Sequence, residues 1–91
     1  RVSIDTSKFR RIEFRLKLSA GTEAQVFFGQ SHERMNEENS VRLAVNADGR
    51  FHTYTVDLAS NPRWQGVVEA VRLDPTDAEG ALIELAYVRF K

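Results

Sequence analysis

Few residues in this 91-residue chain are of types that carry chemistry, and their spacing narrows what that chemistry is. Nucleophilic catalysis needs a hydroxyl or thiol held by a histidine that a carboxylate orients in turn. The only histidines are His32 and His52, and neither sits in a motif around a nucleophile. Glycoside cleavage needs two carboxyl groups about 5–10 Å apart across a cleft. Glu13, Glu69 and Glu84 instead fall in alternating segments that read as strands, where an acid faces solvent beside an Arg or Lys on the neighbouring strand. The expectation is a protein that is not an enzyme. Asp74, Asp77 and Glu79 supply the hard oxygens that suit calcium. They match no known ligand loop, and Asp is common in turns because it hydrogen-bonds its own backbone. No other cofactor is implied.

Two further groups suit binding. Sugar rings present flat apolar faces that stack on an open indole, and Trp64 lies in a loop beside Pro62 and Arg63. The competing account has Trp64 capping the core with its N–H on a loop carbonyl. Arg11, Arg15, Arg42 and Arg72 are read as sharing one sheet face, from which planar guanidinium groups grip hydroxyls or acids. The plainer account is paired surface charges that keep a sheet from aggregating. His32, Arg34 and Asn36 make a polar loop within reach of hydroxyls, or simply a solvated connection.

Composition sets the bounds. Thirteen basic residues balance thirteen acidic ones, so no electrostatic footprint for nucleic acid exists. No apolar run approaches the length of a membrane-spanning helix. With no cysteine, disulfides and thiolate metal sites are excluded. The 42% hydrophobic content and nine aromatic residues (six Phe, two Tyr, one Trp) suffice for one small core. The chain opens Arg1-Val2-Ser3 without a start methionine or leader, which reads as a single domain over 1–91 excised from a longer polypeptide.

The elements that must position these residues are strands. Ile12, Phe14, Leu16 and Leu18 alternate with Arg11, Glu13, Arg15 and Lys17, giving one dry and one wet face. Further segments run Glu23 to Gln30, Ser40 to Ala47, Arg50 to Leu58, Val67 to Leu73 and Ala81 to Phe90, with a short edge strand over Val2 to Ile4. Asp48-Gly49 reads as a two-residue hairpin turn. The stretch from Ser31 to Asn39 fits a loop or one helical turn. Phe14, Leu16, Val26, Leu43, Val45, Tyr54, Val56, Val71, Leu73, Leu85 and Tyr87 occupy apolar phases and form the expected core. The pattern predicts an all-β protein, an antiparallel two-sheet β-sandwich, with more than about half its residues in strands against the usual 20–25%.

From Asp48 onward the chain carries Asp48-Gly49-Arg50-Phe51-His52-Thr53-Tyr54, then Trp64-Gln65-Gly66, then Leu73-Asp74-Pro75 behind Val71-Arg72, and finally Ile83-Glu84-Leu85-Ala86-Tyr87-Val88-Arg89. This resembles the carboxyl-terminal half of the jelly-roll, galactose-binding-like carbohydrate-binding modules of bacterial secreted glycoside hydrolases. The resemblance implies a noncatalytic module that tethers a larger extracellular or periplasmic protein to a polysaccharide or oligosaccharide. Trp64, Arg42, Arg72, Arg15, His32 and Arg34 are then the candidate contacts, and neighbouring domains the other partners. The alternative is a structural or protein-interaction sandwich with no glycan. Ala86 stands where the family often has Asp, and the family's first strands have no counterpart here. Either the domain is a compact variant, or an open sheet edge invites a homodimer.

Overall fold

The structure, a computed structural model, describes residues 3–30 and 36–91. Strands account for 52% of them and no long helix is present among them. The strands run β1 (Ile4–Asp5), β2 (Arg11–Leu18), β3 (Glu23–Gly29), β4 (Ser40–Ala44), β5 (Phe51–Asp57), β6 (Val67–Val68), β7 (Ala70–Asp74) and β8 (Ile83–Phe90). Short 3-10 turns span Glu37–Asn39 and Leu58–Ser60. Among the described residues all pairing is antiparallel, in three sheets ordered β5-β2-β8, β4-β3-β7 and β1-β6.

The alternation in β2 organises the rest. Its even phase, Ile12, Phe14, Leu16 and Leu18, is fully buried and meets Val26 and Phe28 from β3. Val56, Leu58, Val68, Ile4 and Trp64 close the same cluster. Both three-stranded sheets therefore feed one core, a β-sandwich-like all-β arrangement. Chain segments cross between the two sheets at residues 19–22 and again at 45–50. At the first crossing Gly21 has φ +113, and a Cβ there would stand 1.9 Å from Thr76 Oγ1. Only glycine fits under the loop that Thr76 ties down through its bond to the Ala20 carbonyl, 2.8 Å long.

Several sequence expectations need correction. Asp48-Gly49 is not a hairpin turn, because β4 and β5 belong to different sheets. Gly49 does use a positive φ of 77, and Asp48 accepts a bond from the Arg50 N–H, but the turn hands the chain across the core. The single strand expected over Val67 to Leu73 breaks at Glu69: β6 pairs with β1, and β7 pairs with β3. The loop or turn expected at Ser31 to Asn39 holds a 3-10 turn at its end, capped by Asn36; residues 31–35 lie outside the described residues.

The largest correction concerns β8. Pairing with β2 runs Phe14↔Val88 and Arg15↔Tyr87, then jumps to Leu16↔Leu85, leaving Ala86 as an extra residue. This bulge reverses the phase of the strand. Ile83, Leu85, Val88 and Phe90 share the core-side face, whereas Glu84, Tyr87 and Arg89 share the other. Leu85 and Tyr87 are thus not companions in the core. Leu85 is 51% exposed, because little packs over the core side of β8. Of the expected core, Phe14, Leu16, Val26 and Val56 are buried; Leu43, Val45, Tyr54, Val71 and Leu73 are half-buried against it.

These burials separate two leucines of the same sheet. Leu16→Ala is expected to lower the unfolding free energy by about 2–5 kcal/mol, as core truncations do. Leu85→Ala is expected to cost under about 1 kcal/mol, as at half-exposed positions. Chemical denaturation of the two variants checks the difference.

Candidate functional site

Trp64 follows the turn at Asn61-Pro62-Arg63, which is closed by bonds from the Arg63 N–H to Asn61 Oδ1 (2.9 Å) and from the Trp64 N–H to the Asn61 carbonyl (3.0 Å). That turn aims the ring inward. It is 6% exposed, stands edge-on to Phe28 at 5.1 Å, and donates its indole N–H to the Phe9 carbonyl at 2.9 Å. A ring so enclosed caps the core and presents no open face for a sugar.

Most other rings are covered by a cation or by the core. The Arg15 guanidinium and Lys17 ammonium both lie over Phe51, at 5.4 and 5.0 Å. Arg72 covers the buried Phe27 at 4.4 Å, and Arg89 stacks on Tyr87 at 5.1 Å. Tyr54 packs on Phe14 and accepts a bond from the Asn46 N–H. Phe9 is the most exposed ring among the described residues, at 39%.

The arginines expected to act together divide between two sheets. Arg15 lies on the wet face of β2 and donates to Thr53 Oγ1 at 3.0 Å. Arg42 and Arg72 lie on the wet face of the other three-stranded sheet, opposite Gln25 and Phe27. Arg42 bridges Glu23 (3.1 Å) and Glu37 (2.6 Å), and Arg72 grips Asp74. Arg42, with Gln25, holds the Glu37 carboxyl below its ordinary range. His32 and Arg34 lie outside the described residues. Beside Arg42 a shallow, open groove is lined by Glu37, Glu38, Asn61 and Arg63 together with Val41 and Pro62. Arg63 pairs with Glu38 at 3.1 Å, and Asn61 Nδ2 donates to the carbonyls of Glu38 and Ser40.

The oxygens considered for calcium do not assemble. Asp77 accepts from the Thr22 N–H (2.8 Å) and hydroxyl (3.0 Å), which lower its carboxyl from the ordinary value, whereas Asp74 faces Arg72. Among the described residues no group of three or more His, Asp or Glu side chains is placed to hold a metal.

One constellation was not legible in the sequence. Glu13, on the wet phase of β2, is buried under the end of β8. It accepts from Lys91 Nζ (2.6 Å), the Tyr87 hydroxyl (2.8 Å) and Arg89 (2.7 and 2.9 Å). The Glu13–Arg89 cross-strand pair follows from alternation, but Tyr87 joins only because the bulge at Ala86 turns it to that face. The Lys91, Tyr87 and Arg89 bonds bring the Glu13 carboxyl down to about 2. Such a group is a permanent anion near neutrality and a poor proton shuttle. It clamps β2 to β8.

Compared with known protein families, curated proteins and solved structures, the chain matches none. No helix among the described residues is long and apolar enough to cross a membrane.

Two measurements follow from these sites. Trp64→Ala is expected to cost about 3–5 kcal/mol of stability, as loss of a buried ring does; a nearly unchanged denaturation midpoint would show the ring to be dispensable to the core. Because the folded-state value of Glu13 is depressed, its contribution is full above the ordinary value of 4.5 and drains away as pH falls through about 2. Glu13→Gln should therefore lower stability at pH 7 and flatten its decline between those limits, read from urea midpoints across the range.

Proposed function

We propose that this chain is a noncatalytic accessory domain, a two-sheet sandwich of jelly-roll type, that works by docking protein against its β8 margin. The observation that carries this reading is the state of β8. It is eight residues long, it pairs on one side only among the described residues, and three of its core-side residues, Ile83 (47%), Leu85 (51%) and Val88 (40%), are about half-exposed. Long apolar edges are otherwise shortened, charged or covered, because they template pairing with another chain. The resemblance of the 48–90 segment to accessory modules of bacterial secreted proteins supports the same role and an extracellular or periplasmic setting.

Polysaccharide binding is the second reading, and one observation favours it: the open groove beside Arg42, where Arg63 and the carboxylates of Glu37 and Glu38 present donors and acceptors of the kind that hold sugar hydroxyls. It does so without an aromatic floor.

Amide exchange on the dilute chain tests the first reading. The backbone groups of Lys91 bond to Arg11, and the Leu82 carbonyl accepts from Ser19, so residues in those phases face β2. Residues of the opposite phase, Ile83, Leu85, Val88 and Phe90, turn their N–H groups outward. Their amides should exchange rapidly while those of Glu84 and Arg89 are protected; protection of all alike would overturn the docking margin. Affinity electrophoresis in polysaccharide gels tests the second. Retardation that disappears in an Arg42→Ala, Arg63→Ala double variant would place a glycan in the groove.

A further inference from the structure

We infer that the occupant of the β8 margin is a second copy of this chain, docked antiparallel about a two-fold axis beside Ala86. The inference rests on the docking reading above and adds the partner and the register.

Three features of β8 meet in that register. The first is backbone supply. On both sides of the bulge, the residues bonded toward β2 belong to one phase: Leu82 with Ser19 at one end, Lys91 with Arg11 at the other. The outward phase is then Ile83, Leu85, Val88 and Phe90, which is also the apolar, core-side phase. A new strand would hydrogen-bond to the same residues whose side chains need cover.

The second is symmetry. A two-fold axis perpendicular to a sheet keeps each face on its own side. In a regular strand, residues opposite one another must then have like parity. The extra residue at Ala86 changes this rule for β8. Ile83 falls opposite Phe90 of the second copy and Leu85 opposite Val88, each apolar against apolar at a hydrogen-bonded position.

The third is charge. In the same register Glu84 falls opposite Arg89 of the second copy, at the closer, non-hydrogen-bonded spacing where cross-strand side chains interact most. Within one chain Glu84 already pairs with Lys17 at 3.2 Å, and Arg89 with Glu13 at 2.7 Å. Their side chains remain 61% and 60% exposed, so each has room for another partner. Docking would string Lys17, Glu84, then Arg89 and Glu13 of the other copy into one row of alternating sign, twice over. A slip of two residues one way sets Glu84 against Tyr87 and loses the charge pair; the other way Glu84 meets Lys91, but Arg89 is left against Tyr87 and the row of alternating sign is broken. The product is one continuous antiparallel sheet in which neither β8 is an edge.

Sedimentation equilibrium from micromolar to millimolar chain tests this, with the single-chain mass of 10.4 kDa as reference. The expected result is a rise to twice that mass, with the amides of Ile83, Leu85, Val88 and Phe90 gaining protection over the same concentrations. Val88→Lys should hold the single-chain mass with an unchanged strand signal in circular dichroism. Glu84→Arg should weaken association by about tenfold, since two cross-strand pairs turn repulsive. Glu79→Arg, the same charge change in the exposed loop before β8, should leave it unaltered. A wild-type chain that keeps the single-chain mass at millimolar concentration overturns self-association, as does a Glu84→Arg effect no larger than that of Glu79→Arg. The exchange pattern of the dilute chain separately decides whether the margin is open at all.

Discussion

The whole arrangement depends on one strand having two incompatible faces. The even residues of β2 are sealed into the core, and its odd residues carry Arg11, Glu13, Arg15 and Lys17. Because side chains alternate strictly along a strand, a slip of one residue would bury four charges and expose four large apolar groups. Both neighbours must therefore meet β2 in a single register. β5 does so through a regular ladder from Arg11↔Asp57 to Lys17↔Phe51. β8 does so only by inserting Ala86. The cations over Phe51 and the clamp on Glu13 are consequences of the wet phase being fixed this way.

Alternation made the class of the molecule legible, and it made β2, β3 and β5 legible nearly to the residue. It failed where a backbone irregularity intervened. No local signal marks the bulge in Ile83-Glu84-Leu85-Ala86-Tyr87-Val88: both phases of that segment carry apolar residues, so either face reads as a core face. The break at Glu69 was hidden for a similar reason, since Val67, Val68, Ala70 and Val71 look like one run until β1 and β3 claim different halves. Asp48-Gly49 announced a turn correctly, but turn chemistry does not say whether the next strand pairs with the last or crosses to another sheet.

The candidate site was legible in kind and not in place. Trp64 beside Pro62 suits both an exposed platform and a capped core. The decision comes from the Phe9 carbonyl, fifty-five residues away in sequence, which takes its indole N–H. Arg15 and Arg42 were correctly read as wet-phase residues, but the one sheet face they were expected to share with Arg72 does not exist. Their division between sheets depends on which strand follows which, information that resides in the crossings at 19–22 and 45–50 and not in the arginines themselves. Glu13 shows the converse: a carboxylate that looks like one of several surface acids becomes the best-held charge among the described residues because three donors from β8 and Lys91 converge on it.

The extra residue at Ala86 also governs how β8 tolerates changes in its length. On either side of it, the strand keeps a fixed parity with β2, and the two halves are out of step by one. Losing that one residue would restore an unbroken ladder in which every remaining residue keeps its present partner on β2. Tyr87 and Arg89 would stay beside Glu13, and Val88 and Phe90 on the core side. Losing Tyr87 as well would set Val88 opposite Arg15 and Arg89 opposite Phe14, turning the end of the strand over and dissolving the grip on Glu13. The bulge is therefore one residue of slack: the strand can give up that one without changing faces, whereas the next trades a charged surface for a greasy one.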